Sequence, residues 1–211
     1  MEVIAVTGTP GTGKTALSKK LAKKLDFYYI DVNNLIAKNK LYEGYDKKRK
    51  TKIVDVKKLN GKLIEEINFL KKFNLLNRAL LSTARSAKNI NKIKTITNKS
   101  LKNKPLNQKS NKKTRFGNEL KKSRGIIIDS HLSHYLPRKY VDLCIVTKCD
   151  IKELNKRLKN KKFSKSKTNE NLQAEIFDIC YNEAIGRKHK VIAVDTTKGF
   201  NMNKILRQLG D

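Results

Sequence analysis

One stretch near the N-terminus constrains the fold more than any other. Residues 3–15 read VIAVTGTPGTGKT, with the GxxxxGK[ST] spacing of a phosphate-binding loop from Gly8 to Thr15. An apolar run precedes the glycines and leucines at helical spacing follow them, so the motif has the strand and the helix that it requires. A glycine-rich backbone can wrap a phosphate closely enough for successive N–H groups to donate to it. The agreement of strand, loop and helix disfavours the alternative of a glycine-rich turn without a ligand.

The loop predicts how a nucleoside triphosphate is held. We expect Lys14 to reach the outer phosphates and the Thr15 hydroxyl to ligate magnesium. The positive end of the following helix adds to the attraction for phosphate. The backbone that cradles the triphosphate is expected to comprise Gly11, Thr12, Gly13, Lys14, Thr15 and Ala16. ATP and Mg²⁺ are therefore the predicted ligands.

The rest of the chain alternates short apolar runs with segments of helical periodicity. Four further strands are predicted at 27–30, 125–129, 142–147 and 191–195. Such alternation implies a parallel sheet covered by helices on both faces. We predict one α/β domain of P-loop NTPase type over residues 1–211, with five parallel strands.

Aspartates are expected to begin three of the helices. Asp31, Asp55 and Asp150 each precede a segment with apolar residues at helical spacing, as N-caps do. Further along, a basic turn is expected at 163–167, and a single longer helix is expected to carry Leu172, Ile176, Ile179 and Ala184 on one face. A closing helix would use Ile205, Leu206 and Leu209.

Ligands of parallel sheets bind at the carboxyl ends of the strands, where Asp129 falls. In proteins with a phosphate loop, an acid at the end of a buried strand commonly binds magnesium, usually through water. We favour this role over that of an aspartate that only begins a loop. His131, two residues further on, could orient a water or a substrate oxygen. A polar loop histidine is almost equally consistent with the residues alone.

Two motifs permit rival interpretations. His131 and His134 have a spacing that zinc ligands can use, but no third or fourth ligand follows at a suitable distance. Residues 147–150 read TKCD, which resembles the guanine-reading [NT]KxD element of GTPases. The strand ending at Asp129 does not continue to the glycine of a DxxG element, and Asp150 is explained as a helix cap, so the GTPase alternative is the weaker one.

Positive charge is concentrated in one part of the chain. The formal net charge is +30, and residues 74–124 alone hold fifteen Lys or Arg against one acid. Between residues 98 and 113 the composition collapses to Lys, Asn, Ser and Gln with one proline, which predicts a mobile basic insertion within 74–124. Such charge predicts attraction to nucleic acid, although a compositional bias of the genome would leave the same pattern.

The cysteines and the apolar runs indicate the compartment. Cys144, Cys149 and Cys180 are an odd number without CxxC spacing, so neither a disulfide framework nor a zinc signature is expected. No apolar run approaches the length of a membrane span. We therefore expect a cytoplasmic protein without a membrane partner.

The chain resembles one family over nearly all of its length outside the basic insertion. The matching stretches are GTPGTGKT at 8–15, LYEGYD at 41–46 with VD at 54–55, DSHLSHYLP at 129–137, VDLCIVTKCD at 141–150 and ENLQAEIFDICYNEA at 170–184. These are similar to the motifs of the CINAP-type adenylate kinases, the archaeal and eukaryotic adenylate kinase-like NTPases linked to small-ribosomal-subunit maturation.

The resemblance implies that the five parallel strands follow the adenylate-kinase order. It also implies reversible phosphoryl transfer between ATP and a nucleoside monophosphate, with AMP the leading acceptor, together with ATPase activity. It also implies transient binding to a platform ribosomal protein of the small subunit and to pre-ribosomal rRNA. The monophosphate-binding segment would map to 31–54, with Asp31, Tyr45 and Arg49 as candidate contacts, and the lid to 160–170. A second hypothesis assigns the chain to a different class of function. In this hypothesis it is an ATPase assembly factor that binds RNA, and its kinase activity is incidental.

The resemblance also assigns roles to single residues. It implies that Asp129 serves magnesium and that His131 serves hydrolysis, positioning a water when no acceptor is bound. Arg157 and Lys161 are expected to stabilise charge on the transferring phosphoryl group. The family lid reads Arg-Gly-Tyr where this chain has Lys161, Lys162 and Phe163, so a point charge replaces a bidentate guanidinium.

Overall fold

A five-stranded parallel sheet forms the centre of the molecule. The computed structural model describes residues 1–47, 51–83 and 123–210. In chain order its elements are β1 (Glu2–Thr7), α1 (Lys14–Leu25), β2 (Phe27–Asp31), α2 (Val32–Asn39), β3 (Tyr42–Asp46), β4 (Thr51–Val54), α3 (Val56–Thr83), β5 (Gly125–Asp129), β6 (Leu143–Lys148), α4 (Ile151–Asn160), α5 (Lys165–Ile176), α6 (Ile179–Gly186), β7 (Val191–Asp195) and α7 (Met202–Gly210), with two short 3-10 turns at Ser133–Tyr135 and Arg138–Tyr140. The strand order is β2-β5-β1-β6-β7. The predicted α/β P-loop NTPase fold is confirmed.

The strands next to β1 bring the functional segments together. β1 pairs in parallel with β5 on one side, where Val6 is level with Asp129, and with β6 on the other, where Thr7 is level with Val146. Every residue of β5 is buried, as expected of a strand covered on both faces. The carboxyl ends of the three strands therefore meet beside the phosphate loop.

Helices cover both faces of this sheet with apolar side chains. On one face, Leu59, Leu63, Ile67 and Leu70 of α3 are buried in a cluster that includes Ile126 and Ile128. On the other, Leu17 and Leu21 of α1 are buried in a cluster with Ile4, Val6, Ile127 and Ile205. Burial of these side chains supplies most of the stabilisation, at about 25 cal/mol per Å² of apolar surface. The predicted apolar faces of α1, α3 and α7 are confirmed.

The three predicted aspartate caps are also confirmed. The Asp31 carboxylate accepts from the backbone N–H groups of Asn33 and Asn34, and that of Asp150 accepts from the first turn of α4. Asp55 accepts from the N–H of Lys58. Each carboxylate pairs N–H groups that have no acceptor within the helix, and so fixes where the helix begins.

Two predictions in the C-terminal half are wrong in their bounds. The basic turn expected at 163–167 is already helical from Lys165, because the Ser164 hydroxyl accepts from the N–H of Lys167 as an N-cap. The single helix expected from Leu172 to Ala184 is broken at Asp178, whose φ of 53° is left-handed. An ion pair between Lys148 and the Asp178 carboxylate accompanies the break, so a tertiary contact overrides helical periodicity there.

A two-stranded hairpin was not predicted. β3 and β4 pair antiparallel at residues 42–54, where the sequence suggests only the end of a helix and a turn. Tyr42, Tyr45 and Ile53 are exposed, so the hairpin lacks the buried alternation that identifies a strand. The predicted monophosphate segment therefore consists of α2 and this hairpin.

Several predictions fall on residues outside the described ranges. Arg49 is one, and so is most of the predicted basic insertion, residues 84–122. The first part of that insertion, residues 74–83, continues α3 to its end at Thr83. No helix in the described part of the chain is long and apolar enough to cross a membrane.

Candidate active site

The phosphate loop, residues 8–15, has a backbone that only glycine can follow at its tightest points. Gly8 and Gly11 have φ of 134° and 101°. A Cβ at Gly8 would lie 2.5 Å from the Thr147 carbonyl oxygen, and one at Gly11 would lie 2.8 Å from Leu154 Cδ1. The loop is therefore pressed against β6 and α4, and a side chain at either position would open it.

Threonine side chains hold the loop in this shape. Thr12 Oγ1 lies 2.6 Å from Thr147 Oγ1 at the end of β6 and donates to the Thr9 carbonyl at 2.8 Å. The Thr196 hydroxyl, after β7, donates to the Thr12 carbonyl. Neighbouring strand ends thus fix the backbone that is expected to receive phosphate, which reduces the free energy lost in ordering it.

The same contacts bear on the TKCD motif. Thr147 is buried against the phosphate loop, Lys148 pairs with Asp178, and Asp150 caps α4. Each of these side chains has a partner within the fold. This arrangement favours a structural role for the motif over the reading of guanine.

Lys14 lies in a strongly charged setting. Its ammonium group donates to the Thr9 carbonyl at 2.8 Å. Burial lowers the pKa of Lys14 to about 8 and Lys161 adds to this, while Asp129 and Glu175 oppose it. Lys161 of the predicted lid and Asp129 of β5 are therefore both within electrostatic reach of Lys14. A bound triphosphate would compensate the charge of the two lysines.

Asp129 and Thr15 provide oxygen ligands of the kind that magnesium prefers. Asp129 is buried at the end of β5, and its Oδ2 accepts a hydrogen bond of 2.7 Å from the Tyr29 hydroxyl. The Thr15 side chain is exposed at the start of α1. Magnesium usually takes one or two protein oxygens and completes its shell with water and substrate phosphates. No group of three or more His, Cys, Asp or Glu within the described ranges could hold a metal, so this pair suits magnesium better than zinc.

His131 lies on the wall of a cavity of about 460 Å³. The other lining residues come from α2, from β4 and the start of α3, and from the residue after His131: Asn33, Ile36, Ala37, Thr51, Lys52, Val54, Val56 and Leu132. Partial desolvation, reinforced by the charges of Lys14 and Lys167, keeps the pKa of His131 below the ordinary value. Its imidazole is exposed and neutral at pH 7, so it can accept a hydrogen bond from a water or a substrate.

His134 has a different environment from His131. It is buried, its Nδ1 lies 2.7 Å from the Thr7 hydroxyl, and its Nε2 lies 2.8 Å from Glu183 Oε2 on α6. Tyr135 donates to the same carboxylate. Both ring nitrogens of His134 are therefore engaged within the protein, which favours a structural interpretation of the HxxH spacing over a metal site.

The other predicted residues lie on different parts of the surface around the loop. The Arg157 guanidinium donates to Glu153 and to the Thr196 and Thr197 carbonyls, so its described contacts tie α4 to the segment after β7. Asp31 uses both carboxylate oxygens in capping α2. Tyr45 is exposed on β3. The structure thus gathers Lys14, Asp129, His131 and Lys161, whereas Asp31 and Arg157 have local partners.

Several residues near the site were not predicted. Tyr29 holds Asp129, and Glu175 is buried near Lys14 with its Oε1 accepting from the N–H of Cys149. Lys52 lines the cavity. Because side chains alternate between the two faces of a strand, the sequence of β2 indicates that Tyr29 and Asp31 share a face. It does not indicate that Tyr29 lies beside Asp129, which depends on the register between β2 and β5.

The chain is similar to several known proteins. Residues 4–178 match the family model described as an AAA domain. A protein of Methanosarcina acetivorans named "Putative adenylate kinase" is 31% identical over 195 residues, or 92% of this chain and 77% of the relative. A protein of the same name from Methanosarcina mazei is 32% identical, covering 92% and 79%. The solved deoxyadenosine kinase of M. mycoides with bound dATP aligns with 99% of this chain and 100% of its own, at a TM-score of 0.43 and 13% identity.

Proposed function

This chain belongs to the AAA domain family and is homologous to archaeal proteins named as adenylate kinases, and we propose that it is a nucleoside monophosphate kinase. The reaction is transfer of the γ-phosphoryl group of ATP to a nucleoside monophosphate, with AMP the leading acceptor. When no acceptor is bound, the same site hydrolyses ATP slowly. The phosphate loop binds the donor, and the cavity between α2 and β4 binds the acceptor.

A single observation carries this proposal. His131 links the cavity to the phosphate loop, because it lines the cavity and lies close enough to Lys14 for the charge of that lysine to lower its pKa. A kinase needs the donor phosphate and the acceptor phosphate to meet in one enclosed place. Lys52 on the cavity wall supplies a cation for an acceptor phosphate. A simple ATPase has no need of a second nucleotide cavity at this point.

The residues of the phosphate loop prepare the donor for transfer. Backbone N–H groups of residues 11–16 would cradle the phosphates, and Lys14 would hold the outer two. Thr15 and Asp129 would hold magnesium, which when bound neutralises phosphate charge and orients the γ-phosphoryl group. The acceptor phosphate oxygen attacks this group as the bond from phosphorus to the bridging oxygen of ADP breaks.

Lys161 of the lid would stabilise charge on the transferring group, and His131 would position a water molecule. Lys161 would approach the transferring group, since it is already within electrostatic reach of Lys14. Arg157 would be a second stabiliser of that charge. To reach the phosphates, its guanidinium would have to break its hydrogen bonds to the carbonyls of the segment after β7. Neutral His131 would accept a hydrogen bond from a water molecule when the cavity is empty, which favours hydrolysis. Asp31 and Tyr45, at the two ends of the α2 and β3 segment, would contact the acceptor nucleotide.

The direct test is chromatographic analysis of nucleotides after mixing the protein with ATP and magnesium, with and without AMP, CMP, UMP or GMP. Formation of ADP that depends on AMP, at twice the rate of ATP consumption, is the expected result. Phosphate release that no monophosphate accelerates would contradict the kinase proposal. It would favour an ATPase that acts as a switch.

A second proposed function rests on the family resemblance, and the charge of the chain supports it. We propose that the kinase acts in the cytoplasm during maturation of the small ribosomal subunit, in transient contact with a platform ribosomal protein and pre-ribosomal rRNA. The net charge of +30, with +14 in residues 74–124, supports a polyanion partner. If about six phosphates are contacted, affinity for RNA should fall by roughly a thousandfold between 50 and 200 mM salt. An affinity that does not change with salt would refute phosphate-based RNA binding.

A further inference from the structure

We propose that Tyr29 is a positioning residue for Asp129: its phenol holds one carboxylate oxygen and so directs the other toward the hydrated magnesium ion of the nucleotide. This inference rests on the proposed function, because it assumes that Asp129 serves magnesium. It adds a residue that lies outside the motifs of the chain, on the neighbouring strand.

The register of the sheet explains how the two side chains meet. Tyr29 is level with Ile127 in the parallel pairing of β2 with β5, and Asp129 follows two residues later on the same face. Diagonal neighbours of this kind are within reach of a long aromatic side chain. The hydroxyl of Tyr29 spans the gap and donates to Asp129 Oδ2 at 2.7 Å. The ring packs against the cluster under α1, so the donor has little freedom to move away.

The chemistry of the donor suits an acid that must attract a cation. Asp129 is only 4% exposed, and a buried carboxylate is costly unless a hydrogen bond compensates its desolvation. A lysine or arginine partner would compensate it too, but would cancel the charge that attracts magnesium. A neutral phenol satisfies one oxygen and leaves the negative charge in place. Outer-sphere donors of this type commonly orient metal-binding carboxylates.

A phenol is also a donor that does not change near neutral pH, because the ordinary pKa of tyrosine is about 10. A histidine at this place would gain or lose a proton between pH 6 and 7.

The test uses Tyr29→Phe, which removes the hydroxyl and keeps the ring. The affinity for the fluorescent analogue N-methylanthraniloyl-ATP is measured at increasing concentrations of MgCl₂. The readout is the Mg²⁺ midpoint, the free Mg²⁺ concentration at which half of the total increase in affinity has occurred. We expect this concentration to rise about tenfold or more, as for other outer-sphere donors. Binding in EDTA should be unchanged, which also confirms that the variant is folded.

Two further variants make the result specific. Tyr28→Phe removes a hydroxyl from the next residue of β2, whose side chain packs in the cluster on the opposite face, and should leave the Mg²⁺ midpoint unchanged. In an Asp129→Asn background, Tyr29→Phe should produce no additional shift, because the effect passes through the carboxylate. A shift that persists in this background would overturn the positioning role.

The remaining outcomes separate this inference from the proposed function. If Asp129→Asn raises the Mg²⁺ midpoint and Tyr29→Phe does not, the positioning role is wrong and the magnesium role of Asp129 stands. If Asp129→Asn itself has no effect on the midpoint, the magnesium role fails, and the role of Tyr29 fails with it. Kinase assays with AMP, run on the same samples, show whether phosphoryl transfer survives in either case.

Discussion

The proposed site has two sides that are built in different ways: the phosphate loop on the donor side, and α2 with the β3–β4 hairpin on the acceptor side. The phosphate loop lies among three strand ends, is held by buried threonines, and leaves no space for a side chain at Gly8 or Gly11. The opposite side is α2 with the β3–β4 hairpin, in which Tyr45 and Ile53 are more than half exposed. The phosphate loop is fixed by the core and is called the fixed side below, whereas no described residue of strands β3 and β4 is buried. This difference suits the proposed kinase, because a preformed donor site can bind ATP before a less constrained acceptor segment closes.

The largest expected effect is on the fixed side. Lys14→Ala should lower both phosphoryl transfer and ATP hydrolysis by about a thousandfold, because both reactions develop charge on the phosphates that Lys14 holds. Circular dichroism and thermal unfolding should be close to those of the parent chain, since the ammonium group has a single described hydrogen bond, to Thr9. Full turnover in this variant would contradict the whole assignment of the donor site.

His131 lies between the two sides and should separate the two reactions. His131→Gly is expected to lower ATP hydrolysis by roughly a hundredfold, the scale of one acid–base group, and transfer to AMP by much less. The physical reason is that the acceptor phosphate replaces the water that the imidazole orients. Steady-state assays of phosphate release and ADP formation on the same sample would measure the ratio. Equal losses in the two reactions would remove the special role of His131.

Substitutions on the acceptor side should weaken the binding of AMP more than they lower turnover. Lys52→Met on β4 is expected to raise the KM for AMP about tenfold, the value of a charge-assisted hydrogen bond, and to leave hydrolysis without acceptor unchanged. Lys58→Met is a matched control, since this lysine is exposed on α3 and pairs with Asp55. An equal effect of both variants would indicate a general loss of positive charge rather than a cavity contact.

The same contrast explains which features the sequence could predict. The fixed side follows from local rules: glycines at fixed spacing, buried strands such as GIIID, and aspartates that cap helices. The hairpin was missed because its side chains are mostly exposed, so burial imposes no alternation on its residues. The break at Asp178 was missed because it accompanies an ion pair with Lys148, a contact that is distant in sequence.

Within the site, the sequence predicted residues but not their partners. Asp129 and His131 could be chosen because they follow a strand whose place is clear. Tyr29, which holds Asp129, depends on the register between β2 and β5, and Glu183, which holds His134, comes from a helix 49 residues away. Pairings of this kind are set by the packing of the whole sheet, and periodicity along one segment contains no information about them.

The smallest predicted effect is a dependence of stability on pH. Burial lowers the pKa of His134, although Glu183 opposes it, and burial likewise lowers that of His189, so both are neutral in the folded protein. The unfolded chain binds a proton at each below about pH 6.5, so unfolding becomes easier as the pH falls from there. The free energy of unfolding should therefore decline as the pH falls below about 6.5, by at most about 1.4 kcal/mol per pH unit for each histidine.

Urea unfolding at pH 7.5, 6.5 and 5.5 would measure this decline, in a range where the carboxylates stay ionised. His134→Gln tests the contribution of His134, because an amide can still form a hydrogen bond with Glu183 but does not titrate. It should lower stability at pH 7.5 and make the remaining dependence on pH smaller than in the parent chain. A stability that is unchanged from pH 7.5 to 5.5 would mean that His134 and His189 are not held neutral by the fold.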